Sequence, residues 1–383
     1  MTMTRVAIAP EMFRWACERA GYDSRGLAQR IPQFPAWERG DKQPTFKQLE
    51  CFAKTTHTPI GYLFLPEPPD EVVPIPDFRT VADAAVRRPS PDLLDTVYLC
   101  QHRQDWYRDF ARSVGEEPLS FVGTARVGDD VIRTADMIRN ALGFDLDARR
   151  EMSTWTDALR HFIEQADALG VLVMVSGVVG SNNRRKLNPQ EFRGFALADD
   201  LAPLVFINGA DFKAAQMFTL AHELAHIWIG QTALSDAQVS TVPAQAVERW
   251  CNLVAAELLV PLATFRADLK PNAELRTELD RLARRFKVST LVILRRMQDA
   301  GSLIGEAYWA AYESELVHLR EIAGGAGGDF YRSLGARASK RFARAIVTSA
   351  LEGRSSFTEA FRLLGFKKMS TFDQLGRTLG VIF

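Results

Sequence analysis

The chain has 383 residues, room for about two or three domains, and its 47% hydrophobic and 25% charged content is that of an ordinary globular protein with a real core. The formal net charge is zero, so the chain as a whole carries no pull toward nucleic acid, and any basic patch must be local. Cys17, Cys51, Cys100 and Cys251 form no C-x-x-C pair and read as free thiols; with no signal-peptide core near the N-terminus and no window approaching ~18 apolar residues, the expected location is the cytoplasm, away from membranes.

Residues 1–65 read as short helices separated by turns: "PEMFRWACERAG", "SRGLAQRI", "FPAWERG", "TFKQLECFAKTT" and "PIGYLFL". Ser24 and Thr45 are expected N-caps, and Gly21 and Gly40 helix stops. Residues 66–91 hold seven of the 18 prolines and read as a stiff linker. A helical connecting region, 92–152, follows, with helical periodicity at 92–113 and 129–142 and no motif. From 153 to 300 the pattern mixes helix and strand. "STWTDALRHFIEQADALG" is an amphipathic helix stopped at Gly170, and "VLVMV", "EFRGFAL" and "PLVFIN" are expected strands. The helix "FTLAHELAHIWIG" comes next, with Asp211 as its expected cap and Gly230 as its stop. A second helix, "PAQAVERWCNLVAAELLVP", is opened by Pro243 and closed by Pro261. Beyond 271 the pattern is helix–turn–helix-like, with Ser289 as the second cap. Residues 301–383 read as a basic helical region, in which Ser356 and Glu359 suggest a capping box.

"HELAH" carries the chemistry. Of six histidines two fall in one helical turn, where H-E-x-x-H should arise by chance about 0.006 times in a chain of 383 residues. Residues i and i+4 share a helix face, so His222 and His226 can present both imidazoles to one ion. Glu223 sits about 100° round the helix, suited to act as general base on a water acidified by zinc rather than to ligate. The bland alternative, two core histidines on a buried helix, leaves two imidazoles and a carboxylate desolvated without a purpose. A catalytic zinc needs a third protein ligand, and no histidine follows until His318. Glu248 on the next helix is the better offer, with Asn252 one turn on to orient a ligand histidine. Glu257 lies nine residues from Glu248, about half a turn net, and so faces the opposite side.

"FTLAHELAHIWIG" followed by "ERWCNLVAAELLVP", with "FRGFALADDLAPLVFING" before them, resembles the ImmA/IrrE family of metallopeptidases over roughly 155–300. The resemblance implies a minimal gluzincin-like domain, a short antiparallel sheet packed on the HExxH helix, within an α+β chain. It implies zinc held by His222, His226 and Glu248, with Glu223 as base and Asn252 behind a ligand. Members of that family cut a partner repressor or act as regulators and antitoxins. "SRGLAQRI" and "WERGDKQPTFKQLECFAK" resemble a second family, the Xre-type (lambda repressor-like) helix-turn-helix, an all-α DNA-binding domain. Residues 1–60 carry nine Lys/Arg against six Asp/Glu, with Arg39 and Lys42 as candidate DNA contacts. Pro32 and Pro35 depart from that pattern, leaving a short recognition segment with few polar side chains to read bases. Residues 331–383 hold ten Lys/Arg against three Asp/Glu, either a solvated helix face or a surface for an acidic partner.

The sequence therefore leads to a cytoplasmic zinc endopeptidase that cleaves a protein partner, a repressor or toxin-system component, fused to a transcription-regulator domain that contacts operator DNA. The alternative is a non-proteolytic regulator or antitoxin that binds DNA and a toxin around a structural zinc. Substrate, operator and oligomeric state are not written in these motifs.

Overall fold

The computed structural model describes residues 5–78, 88–235, 245–322 and 337–382. They divide into two units, Met1–Pro74 with Val81–Val97, and Ile75–Thr80 with Tyr98–Phe383.

In the first unit, α1 (Pro10–Arg19), α2 (Ser24–Arg30), α3 (Phe34–Glu38), α4 (Phe46–Thr55) and a 3-10 turn (Ile60–Phe64) enclose a small aromatic core. Met12, Phe13, Leu27, Phe34, Leu49 and Phe52 are fully buried there, and Phe13 meets Phe52 edge-on at 5.2 Å. Thr45 caps α4 in a full capping box with Gln48. The cap of α2 is Asp23, not Ser24: the carboxylate accepts from Gly26 N at 2.6 Å, which moves Ser24 into the first helical position. With Pro32 ahead of it and Pro35 in its first turn, α3 spans five residues and turns Phe34 and Trp37 inward. Arg39 and Lys42 are exposed just beyond it, Arg39 beside Asp41 at 2.8 Å. Part of the proline-rich segment folds back on this unit, where Glu71 pairs with the buried Arg19. Residues 79–87 of the expected linker lie outside the described residues.

The second unit contains α5 from Tyr98 onward (the whole helix is Pro91–Val114), then α6 (Val131–Leu142), α7 (Leu146–Arg150) and α8 (Trp155–Leu169). Thr154 caps α8, and Gly170 leaves it at φ +113, a left-handed turn that favours glycine. The chain then forms β1 (Leu172–Ser176), β2 (Gly194–Leu197), β3 (Leu204–Asn208), α9 (Lys213–Trp228), β4 (Ala233–Ser235) and α10 (Ala246–Leu259). After these come α11 (Leu262–Asp268), α12 (Leu275–Phe286), α13 (Thr290–Asp299, capped by Ser289) and α14 (Gly305–Ile322). The last described helices are α15 (Lys340–Leu351), α16 (Phe357–Leu364, its cap Ser356 accepting from Glu359 N) and α17 (Met369–Thr378).

The sheet runs β1-β3-β2-β4 and is mixed, which corrects the expected antiparallel sheet. β2 pairs antiparallel with β3 and with β4, but β1 pairs parallel with β3, Leu172 opposite Leu204 and Ser176 opposite Asn208. β3, buried at every position, is covered on both faces and takes a central place. The β2–β3 hairpin therefore inserts with its second strand beside β1, and that strand points the same way. Side chains alternate: Val173, Ala196, Val205 and Ile207 face the main core with α8 and α9, while Phe195 and Phe206 stack at 5.0 Å on the other face. There Gln104 of α5 donates to the carbonyls of Leu197 and Ala202.

Asp211 does not cap α9. Phe212 holds the cap position without a side-chain bond, and Asp211 faces Arg193 at 3.5 Å. Pro243 lies outside the described residues, so α10 is described from Ala246. Among the described residues no helix is long and apolar enough to cross a membrane.

Candidate metal centre

Helix α9 is buried at every position from Ala215 to Trp228, packed on β2, β3, α8 and α10. Burial so complete leaves His222, Glu223 and His226 no solvent to bind, so neighbours must satisfy them. One helical turn apart, the two imidazoles bring their Nε2 atoms to 3.2 Å. From α10, Glu248 inserts its carboxylate between them, Oε2 at 3.2 Å from His222 Nε2 and Oε1 at 3.0 Å from His226 Nε2. His222 Nδ1 is 2.9 Å from Asn252 Oδ1, one turn after Glu248. That amide oxygen accepts, so Nδ1 carries the proton and Nε2 presents its lone pair to the cluster.

Three acceptor-type atoms thus converge on one point inside the core. Without a cation or a proton shared among them their lone pairs repel; with a metal ion they form a two-nitrogen, one-carboxylate set suited to zinc. The donor set fits such an ion.

The charges of the four groups are strongly coupled. Burial alone would push the Glu248 carboxylate up, but His222 and His226 outweigh it and hold it well below the usual range. Burial depresses both imidazoles; His226 stays low, whereas Glu248 lifts His222 above its ordinary value. Glu223 moves the other way. Burial first, and the neighbouring Glu248 charge, push it up to about 8, against the opposing pull of His222 and Ser235. Among the described residues neither Glu223 oxygen has a partner with hydrogen-bond geometry. A buried carboxyl without a partner, close to a metal-type cluster, is a costly arrangement of the kind found at working sites.

Residues 166–298 match the family model of the IrrE N-terminal-like domain, Peptidase_M78. The IrrE-like segment holds all of these residues and most of the 153–300 region expected to form the peptidase. Residues 338–378, which carry α15 to α17, match a domain of unknown function, DUF8813. No curated protein and no solved structure matches the chain.

Within the IrrE-like segment the structure brings together His222, His226, Glu248, Glu223 and Asn252. Glu257 lies elsewhere: its carboxylate pairs with Arg296 of α13 at 2.6 Å and accepts from Leu262 N. Arg39 and Lys42 belong to the other unit. His318 pairs with Arg276 at 2.9 Å. The basic C-terminal stretch spends part of its charge within the unit, Lys340 on Glu164 and Arg341 on Glu116.

Two residues of the centre escaped the sequence analysis. Ser235, fully buried in β4, places Oγ 3.3 Å from His226 Nε2 and 3.5 Å from Glu248 Oε1. Gly194 of β2 faces Glu223, and a Cβ there would stand 3.1 Å from Glu223 Oε1 and 2.8 Å from the Phe206 carbonyl. A serine closing a three-residue strand carries no spacing signal. The only cue for Gly194 is a glycine inside an otherwise apolar strand, which marks close backbone approach.

Proposed function

We propose that the chain is a zinc-dependent endopeptidase that cleaves a protein partner, a repressor or toxin-system component, and is joined to a DNA-contacting regulator unit. The observation that carries the enzyme reading is the buried Glu223 carboxyl, without a partner of hydrogen-bond geometry among the described residues, beside three converging donors. His222, His226 and Glu248 would hold the zinc, and Asn252 keeps His222 in the tautomer that ligates. Zinc, when bound, supplies Lewis acidity to polarise the scissile carbonyl and to acidify a water. Glu223, with an affinity for protons near neutrality, accepts the proton of the attacking water and returns it to the departing amine. The alternative, a regulator or antitoxin around a structural zinc, has no use for a base held at such cost.

Two measurements test the reading. Metal analysis of the purified chain should find one zinc, retained in Glu223→Gln. Profiling of new protein N-termini in cells should find cleavage products with the wild type that Glu223→Gln fails to make; identical profiles with full zinc would leave the regulator reading standing. For the first unit, we propose DNA contact through Arg39 and Lys42, both exposed beyond α3. Log affinity should fall with log salt by about 0.9 per phosphate neutralised, and alanine at either position should flatten that slope. Equal binding after deleting residues 1–65 would remove the unit from the DNA role.

A further inference from the structure

β4 is an edge of the four-stranded sheet, and its outer side is held by a segment from far upstream. Leu234 N donates to the Pro76 carbonyl at 2.9 Å, and Phe78 N donates to the Leu234 carbonyl at 2.9 Å. Asp77 is thereby bridged in parallel to Leu234. Phe78 also sets its ring against that of His226, centroids 6.3 Å apart and planes inclined by 27°. The backbone of Leu234, which an added peptide strand would use, is occupied by the chain itself.

Ser235 is the next residue. Its Oγ, at 3.3 Å from His226 Nε2 and 3.5 Å from Glu248 Oε1, stands nearly as far from those donors as they stand from each other and from His222, 3.0 to 3.2 Å. Four donors placed tetrahedrally around zinc, at bonds of about 2.0–2.1 Å, are about 3.3–3.4 Å apart. Toward His226 and Glu248 the serine oxygen is therefore at the spacing of a fourth donor. Catalytic zinc sites keep that position open, whereas structural sites close it. Here the closing group is a neutral hydroxyl, a weaker donor than the thiolate or imidazole of a structural site, carried on a short strand whose outer side is held, among the described residues, by two strap hydrogen bonds.

We propose that Ser235 Oγ fills the fourth position of the metal centre, and that the Pro76–Phe78 strap holds β4 so that it does. The state described is then a latent form. Release of the strap frees the edge of β4 and the fourth position together, so access for a peptide and competence of the metal are gained in one movement. This inference rests on the metallopeptidase reading and deepens it.

The test uses the full chain with cobalt in place of zinc, read by visible absorption, and azide as probe. In the wild type, azide should change the spectrum only weakly. Ser235→Ala should open the position and tighten azide binding by at least about tenfold, as expected when a site closed most of the time becomes available. Phe78→Gly, which weakens the strap and substitutes none of the metal-facing residues, should tighten it in the same direction. Ser235→Cys gives a positive signal that does not depend on how the alanine variant folds: an intense thiolate-to-cobalt absorption band. The proposal is overturned if wild type and Ser235→Ala bind azide equally, or if Ser235→Cys takes up cobalt without that band. Azide binding by Phe78→Gly at the wild-type level would overturn the strap's part. Failure of the metallopeptidase reading shows itself separately, as a wild-type chain that takes up neither cobalt nor zinc.

Discussion

Replacing Glu223 by glutamine should change how the stability of the metal-free protein depends on pH. In the fold the Glu223 carboxyl holds its proton up to about 8, against an ordinary 4.5. Between those values the folded state binds a proton that the unfolded state has released. Unfolding therefore releases a proton, and stability falls as pH rises from 4.5, flattening above about 8. At about 1.4 kcal/mol per pH unit, the Glu223 burden is below about 1 kcal/mol at pH 5, about 3 at pH 7 and no more than about 5 beyond pH 8. Glutamine does not titrate. Its amide carries a constant cost for its own unpartnered atoms, so the slope rather than the offset is the signature. The assay is urea unfolding of chelator-treated wild type and Glu223→Gln, followed between pH 5 and pH 8. The variant should gain on the wild type by about 3 kcal/mol from pH 5 to pH 7. A difference that stays constant over that range, or one that shrinks, refutes the account of Glu223 as a buried, uncompensated carboxyl.

Four further outcomes follow from the geometry. Glu248→Ala should lose most of the zinc affinity by competitive titration with a chelating dye. Glu257→Ala should keep its zinc yet unfold at lower urea, by about 1–3 kcal/mol, because the buried Arg296 loses one of its two carboxylate partners and keeps Asp299 at 3.0 Å. Asn252→Ala should bind zinc about 10–100-fold more weakly in the same titration, since His222 loses the group that fixes its tautomer. Gly194→Ala should destabilise the chain by about 1–3 kcal/mol in thermal or urea unfolding. Its Cβ would come within 2.6 Å of Thr219 Cγ2 and 2.8 Å of the Phe206 carbonyl, and a backbone oxygen has little room to move.

What could be read from the sequence is what depends on short spacing along one element. Four residues bring His222 and His226 to one face of α9, and four more put Asn252 on the side of Glu248, because 3.6 residues make a turn. Thr45, Ser289 and the stop after Leu169 are legible for the same reason: a cap acts within its own helix. Even at this scale close competitors mislead. Asp23 outbids Ser24 because its carboxylate reaches Gly26 N, and Asp211 turns toward Arg193. Strand order lay beyond local pattern: "VLVMV" and "PLVFIN" look alike whether they run parallel or not, and only the insertion of the β2–β3 hairpin beside β1 decides it. The same holds for the groups that close the centre. Phe78, Gly194 and Ser235 come from three segments and share no spacing with the histidines, yet the pairing of β2, β4 and the strap brings all three to α9. Ligands carried on one helix are encoded in sequence because the helix itself is the ruler; what stands in front of them depends on which edge of the sheet meets that helix, and tertiary packing alone determines that.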